Sequence, residues 1–113
     1  MANDFQTKEL ALTTVFQALV PTSASGEKTV HALFLSNKDG TNSADVYLSM
    51  YDGTPAEKAA ILFKVPVPAG STLVIDKPIN LTCSGTAADA RQLYAKASVN
   101  GDIDAVASVL HIT

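Results

Sequence analysis

The chain has 113 residues, 47% of them hydrophobic and 17% charged, with a formal net charge of −3. That length holds one domain around one core, and the acidic balance excludes a broad basic footprint for nucleic acid. The eight Lys and Arg residues are scattered, there is no tryptophan, and the aromatics do not interleave with basic residues as a base-stacking platform requires.

A charged fraction below the usual quarter or so leaves little with which to solvate a surface. It suits a chain whose surface is partly covered by a partner. The first ten residues, "MANDFQTKEL", contain two acids and no apolar core of signal length. No run approaches the ~18 apolar residues of a membrane-crossing helix. The expectation is synthesis in a cytoplasm and no membrane partner.

In chain order, residues 1–9 have no clear β pattern and are expected as an N-terminal arm on a single domain spanning 1–113. A first strand is expected over 10–20. In "TVHALFLSN", Val30, Ala32 and Phe34 alternate with His31, Leu33 and Leu35. Both sets are apolar enough for a central strand or for a face that meets a partner.

"NKDGTNS" is a polar, glycine-containing loop. "ADVYLSMYD" then divides cleanly, with Val46, Leu48 and Met50 facing in and Tyr47, Ser49 and Tyr51 facing out. In "DGTPAEKAA", Thr54, Pro55 and Glu57 stand at the N-cap, N1 and N3 spacing of a capping box, which predicts one helical turn.

"FKVPVPAGSTLVID" follows. Along an extended strand the N–H groups of residues i and i+2 point to the same side, so Pro66 and Pro68 remove two donors from one edge. The segment is therefore an edge strand or a strand end, and Ala69-Gly70 is expected to close a hairpin into 71–76. "INLTC" adds another short run.

"RQLYAKASVN" puts Leu93, Ala95, Ala97 and Val99 inward, with Tyr94, Lys96 and Ser98 outward. Asn100-Gly101 separates it from the last run by two residues, the spacing of a tight hairpin. In that last run Ile103, Ala105, Ala107 and Val109 share one face, and Val106, Leu110 and Ile112 give the other an apolar end.

About eight strands at regular spacing predict an all-β, two-sheet antiparallel sandwich, either jelly-roll or immunoglobulin-like in strand order. Periodicity alone does not choose between the two.

Chemistry is sparse. His31 and His111 are the only histidines, both sit in strand patterns, and nothing positions a nucleophile beside either. Asp102 with Asp104, and Asn37 with Asp39, lack the oxygen density of a calcium loop and read as turn chemistry. The six glycines are isolated turn residues and form no phosphate cradle. Cys83 is the lone cysteine and reads as a small buried apolar residue. "NLT" at Asn80 is a glycosylation triplet without the secretory context it needs.

No catalytic, cofactor-binding or metal residue emerges. The outward Tyr47, Tyr51 and Tyr94 form a candidate interface, since tyrosine brings contact area and a polar tip. The apolar second faces add His31, Leu33, Leu35, Leu110 and Ile112 to it.

Three stretches, "EKTVHALFLSNKDGTNSADVYLSMYDG", "FKVPVPAGSTLVIDKPINLTCSGT" and "LYAKASVNGDIDAVASVLHIT", carry a resemblance. A strand ending at Ser-Asn precedes a polar glycine loop and a valine-bearing strand. A "VPAGSTL" turn follows, then an Asn-Gly turn and a final Ile-Thr. From about Glu27 onward the chain resembles small virion structural proteins of tailed bacteriophages, the β-sandwich decoration and collar-type proteins.

The resemblance implies a non-enzymatic subunit present in many copies on the capsid, neck or collar, or tail. It would be made in the host cytoplasm and carried in the virion, with copies of itself and other virion proteins as partners and no cofactor. A monomeric carbohydrate- or protein-binding sandwich, using the tyrosines as its platform, is the alternative.

Overall fold

The structure is a computed structural model and describes residues 3–113. Nine strands are present among them: β1 (Asn3–Ala11), β2 (Gln17–Val20), β3 (Glu27–Asn37), β4 (Ala44–Tyr51), β5 (Glu57–Val67), β6 (Thr72–Ile75), β7 (Ile79–Thr82), β8 (Gln92–Ala97) and β9 (Ile103–Ile112). They form two antiparallel sheets, the first ordered β1-β9-β3-β6 with β7 also on β3, the second β2-β8-β4-β5. β6 and β7 lie end to end along one side of β3, β6 on residues 33–36 and β7 on residues 27–30. Counted as one interrupted strand, they complete the order of a jelly roll, in which early and late strands of the chain pair in nested fashion. The all-β sandwich expected from periodicity is the fold.

The structure overturns three local expectations. Asn100-Gly101 joins β8 of the second sheet to β9 of the first, so it crosses between layers and closes no hairpin. Gly101 supplies φ +80° there and donates to the Leu12 carbonyl at 3.0 Å. The turn at Ala69-Gly70 also changes sheets, from β5 to β6. Residues 52–56, expected as a helical turn, are instead the loop of the β4–β5 hairpin, where Tyr51 faces Glu57. The Asp52 carboxylate organises that loop by accepting from the backbone N–H of Thr54 and Ala56, both at 2.9 Å, and from the Thr54 hydroxyl. An aspartate that satisfies backbone donors two and four residues ahead offers the chain a turn in place of the helix.

The expected strand over 10–20 is two strands. Residues 12–16 carry the chain from one sheet to the other, pinned by Leu12 N–H on the Ile103 carbonyl and Ala97 N–H on the Thr13 carbonyl, each at 2.8 Å. Asn3–Ala11 is a full strand, paired to β9 from Asn3↔Ile112 to Ala11↔Asp104. Residues 3–9, expected as an arm, are thus strand. Met1 and Ala2 lie outside the described residues.

The core lies between the sheets. Large side chains come from β3 and β4 (Val30, Leu33, Leu35, Val46, Leu48), while β8 and β9 contribute small ones (Ala95, Ala97, Ala105, Ala107) beside Leu93, Ile103 and Val109. Large against small lets the two inner faces interdigitate at native density. Each fully buried Leu or Val contributes about 1.5–3 kcal/mol.

On β3 the alternation is broken by a bulge. Lys28 and Val30 face in, then a register shift between Val30 and Ala32 flips the strand, and Leu33, Leu35 and Asn37 face in. His31 is the extra residue of that bulge and is exposed. At the N-terminal end of β3, Gly26 has φ +88° and lies so close to the Ile112 carbonyl that no Cβ fits.

Candidate assembly surface

The outer face of the second sheet is aromatic. On β4, Tyr47, Ser49 and Tyr51 project outward, and β8 sets Lys96 opposite Tyr47 and Tyr94 opposite Ser49. Diagonal neighbours across an antiparallel pair are within reach of large rings. Tyr51 and Tyr94 accordingly stack, with centroids 4.2 Å apart and planes 10° from parallel. Phe16, just ahead of β2, reaches Tyr51 at 5.6 Å. Ser49 points the same way as its tyrosine neighbours yet is only 2% exposed, because the rings close over it.

β5 completes the face through a bulge. Val46 pairs with Val65 and Leu48 with Leu62, so Phe63 and Lys64 together oppose Tyr47. Lys64 takes φ +54° to accommodate the extra residue. Phe63 consequently lies against Tyr47, edge to face at 5.4 Å and 89°, while remaining 74% exposed. The Lys96 ammonium bridges the two halves of the patch, 4.8 Å from the Phe16 centroid and 4.6 Å from that of Tyr47, a cation held over two ring faces.

The electrostatics of the patch are simple. Burial, then the nearby charges of Glu57 and Tyr94, push the Tyr51 hydroxyl above the usual phenol range. The patch is built of tyrosine and phenylalanine rings with the Lys96 ammonium held over two of them. It offers contact area, hydroxyl donors and positive charge, and no arrangement for bond-making chemistry.

The structure brings Tyr47, Tyr51 and Tyr94 together and separates them from the remaining interface candidates. Leu110 and Ile112 are half-buried on the outer face of the first sheet, where Phe5 lies opposite Leu110. His31 sits at the β3 bulge. Leu33 and Leu35 are in the core, at 0% and 1% exposure, because that bulge turns them inward. Val99, expected inward, is 38% exposed past the end of β8.

Phe16, Phe63 and Lys96 are the members that sequence reasoning did not assign to the patch. Lys96 carries a signal, since it alternates outward with Tyr94. Phe16 and Phe63 are placed by a sheet crossing and a bulge, which leave no periodic trace.

Away from this face, several polar side chains organise turns. Asn37 Nδ2 donates to the Val67 and Asn42 carbonyls at 3.0 Å, and the Asp39 carboxylate caps Thr41 N–H at 2.8 Å and Asn42 N–H at 3.2 Å. Asp104 pairs with Lys38 at 3.2 Å. Cys83 is buried. Among the described residues no group of three His, Cys, Asp or Glu side chains is placed to hold a metal ion, and no helix is long and apolar enough to cross a membrane.

No protein-family model matches the sequence, and no curated protein matches it either. Solved structures do share the fold. A subunit of the disulfide-linked pili that form Bacillus endospore appendages superposes with a TM-score of 0.57 at 11% identity, over 99% of this chain and 87% of that one. A chain of the acid-stable capsid of a Helicobacter pylori bacteriophage gives 0.53 at 13% identity, over 100% and 89%. The core of a Drosophila protein described for pentamer formation and histone binding gives 0.52 at 11%, over 99% and 98%. At these identities the likeness is one of fold, and capsid and pilus subunits are among the proteins that have it.

Proposed function

We propose that this chain is a non-enzymatic structural subunit of a tailed-phage virion, present in many copies on the capsid, neck or collar, or tail, and assembled through its sheet faces and edges. The observation that carries the reading is the aromatic outer face of β4, β8 and β5. Five rings and one lysine cover one side of a jelly roll, with no catalytic constellation beside them. Interfaces are enriched in tyrosine and phenylalanine for the same reason, since rigid rings bring much area at little entropic cost. A pilus subunit and a phage capsid chain with this fold support the reading by analogy of architecture.

The test is mass spectrometry of purified particles of the phage whose genome encodes the chain, with quantitation against the major capsid protein. Many copies per particle are expected. Abundant protein in infected cells and none in purified particles overturns the proposal. Binding of the monomer to a glycan array, lost in Tyr94→Ala, would establish the carbohydrate-binding alternative.

A further inference from the structure

Each sheet presents two edges: β1 and the β6–β7 line in the first, β2 and β5 in the second. Three of them are broken. β2 has four residues, a register shift between Ala18 and Val20, and Pro21 directly after it. β5 contains Pro66 and shifts register against β4 at three places. The β6–β7 line is interrupted at Asp76-Lys77-Pro78. β1 alone is unbroken, with nine residues, no proline and a continuous register on β9. A long, regular edge offers a row of unpaired backbone groups to another strand.

We infer that β1 is a self-association edge, and that it pairs antiparallel with β1 of a second copy about a two-fold axis through Gln6. The side chains select this register. Asp4, Gln6, Lys8 and Leu10 share the inner side of the strand, where Gln6 Nε2 donates to Asp4 Oδ2 at 2.8 Å and Leu10 packs on the core. Phe5, Thr7 and Glu9 are exposed on the outer side.

A two-fold axis normal to the sheet keeps faces matched only when it passes through a residue position, which leaves few choices. Centred on Gln6, Asp4 falls opposite Lys8 of the second copy, and Lys8 opposite its Asp4. Phe5 falls opposite Thr7, with the two Phe5 rings as diagonal neighbours, and Asn3 opposite Glu9. No like charges meet. Centred on Thr7, Asp4 would instead face Leu10, Phe5 would face Glu9, and both charge matches would be lost.

A further observation points to the same partner. Phe5, at 77%, is the most exposed large apolar side chain among the described residues, and the pairing covers it. Charged side chains on an edge ordinarily guard it against pairing. Here the two charges are of opposite sign and four residues apart, so a two-fold axis midway between them converts the guard into a selector for a second copy.

The proposal rests on the subunit reading only for its place in a particle; dimerisation in solution is tested independently. Light scattering of the purified protein across a concentration series, with Asp4→Lys, Lys8→Asp and the double variant, decides it. Wild type is expected to pass from monomer to dimer. Each single reversal sets like charges opposite twice and weakens the dimer by about tenfold or more. An equimolar mixture of the two single variants forms a heterodimer, and the double variant recovers wild-type association. Thermal melts verify that each variant is folded.

Wild type that stays monomeric up to the highest concentration overturns the proposal. Single variants that dimerise like wild type do so equally. Either result leaves the particle mass spectrometry to decide the virion reading on its own.

Discussion

Tyr51 and Tyr94 stack 4.2 Å apart across β4 and β8, with their planes 10° from parallel. The pair is the centre of the aromatic face, tied to Phe16 on one side, and it shields Ser49 beneath. A stacked pair contributes about 0.5–1.5 kcal/mol beyond the area it buries. Tyr51→Leu keeps most of the area and loses the stack, so urea unfolding should show a loss of about that size.

The same residue titrates late. Burial keeps its hydroxyl protonated in the fold at pH values where the unfolded chain has begun to ionise. The folded state then holds the extra proton, and stability falls as pH rises past the ordinary phenol range, about 10. A Tyr51→Phe variant should lose that alkaline decline, as followed by unfolding at a series of alkaline pH values.

Asp52 governs the acid side. Its carboxylate accepts from the Thr54 hydroxyl, Thr54 N–H and Ala56 N–H, and Lys58 lies 3.5 Å away. The hydrogen bonds, foremost that from the Thr54 hydroxyl, hold it well below the usual carboxylate range. A depressed pKa means that its contribution is fully present above about pH 4 and is lost as pH falls toward the folded value. Asp52→Asn should therefore flatten the acid limb of the stability profile and lower the urea midpoint at pH 7. An acid limb as steep as that of wild type would place its source in another carboxylate.

The β3 bulge sets which of two adjacent residues matters. Leu33 is fully buried and Phe34 is 37% exposed, although the uninterrupted alternation from Val30 would place Phe34 inside. Leu33→Ala should cost about 2–5 kcal/mol, the range for truncating a core leucine. Phe34→Ala, on a half-open face, should cost less than half of that. The reverse order in denaturant unfolding would mean that the bulge is absent.

Those two residues mark where the sequence is readable and where it is not. Period-two alternation in residues 44–51 and 92–97 identifies the inward side chains of β4 and β8, since both strands are central and half-buried. Pro66 identifies β5 as an edge for a reason local to the strand, its missing donor. Alternation cannot register an extra residue, so His31 inverts everything after it on β3. Turn chemistry carries no layer information either: Asn100-Gly101 turns the chain sharply whether the next strand is a neighbour or lies in the other sheet. The tyrosines of the candidate surface were legible because β4 and β8 are adjacent and in regular register, whereas Phe63 depends on the bulge at Lys64.

Lys28 is a buried amine on the inner side of β3, 3% exposed, whose Nζ donates to the Pro21 carbonyl at 2.7 Å. Burial lowers its pKa, with Cys83 acting in the opposite direction and Lys8 adding to the fall. The charged form is thus disfavoured in the fold. As pH rises from the folded value toward about 10.4, the folded state sheds its proton before the unfolded chain does, and stability increases. Lys28→Met should equal or exceed wild type at pH 7, since taking a charge out of water costs more than burying an apolar side chain of similar size. The advantage should shrink as the pH is raised. A variant less stable than wild type by the same margin at every pH would assign Lys28 a packing role alone.

Lys64 is the one non-glycine residue among those described with positive φ, at +54°. The left-handed region costs a residue with a Cβ about 1–2 kcal/mol, and glycine avoids that cost while giving up some entropy in the unfolded chain. Lys64→Gly should therefore leave the bulge in place and raise stability by up to about 1 kcal/mol. Lys64→Pro, whose ring fixes φ near −65°, cannot occupy the position and should open the Phe63–Tyr47 contact. Near-UV circular dichroism separates the two outcomes, with the aromatic signal retained in the glycine variant and reduced in the proline one. A glycine variant that loses both stability and aromatic signal would mean that the Lys64 side chain, and not its backbone, holds Phe63 over Tyr47.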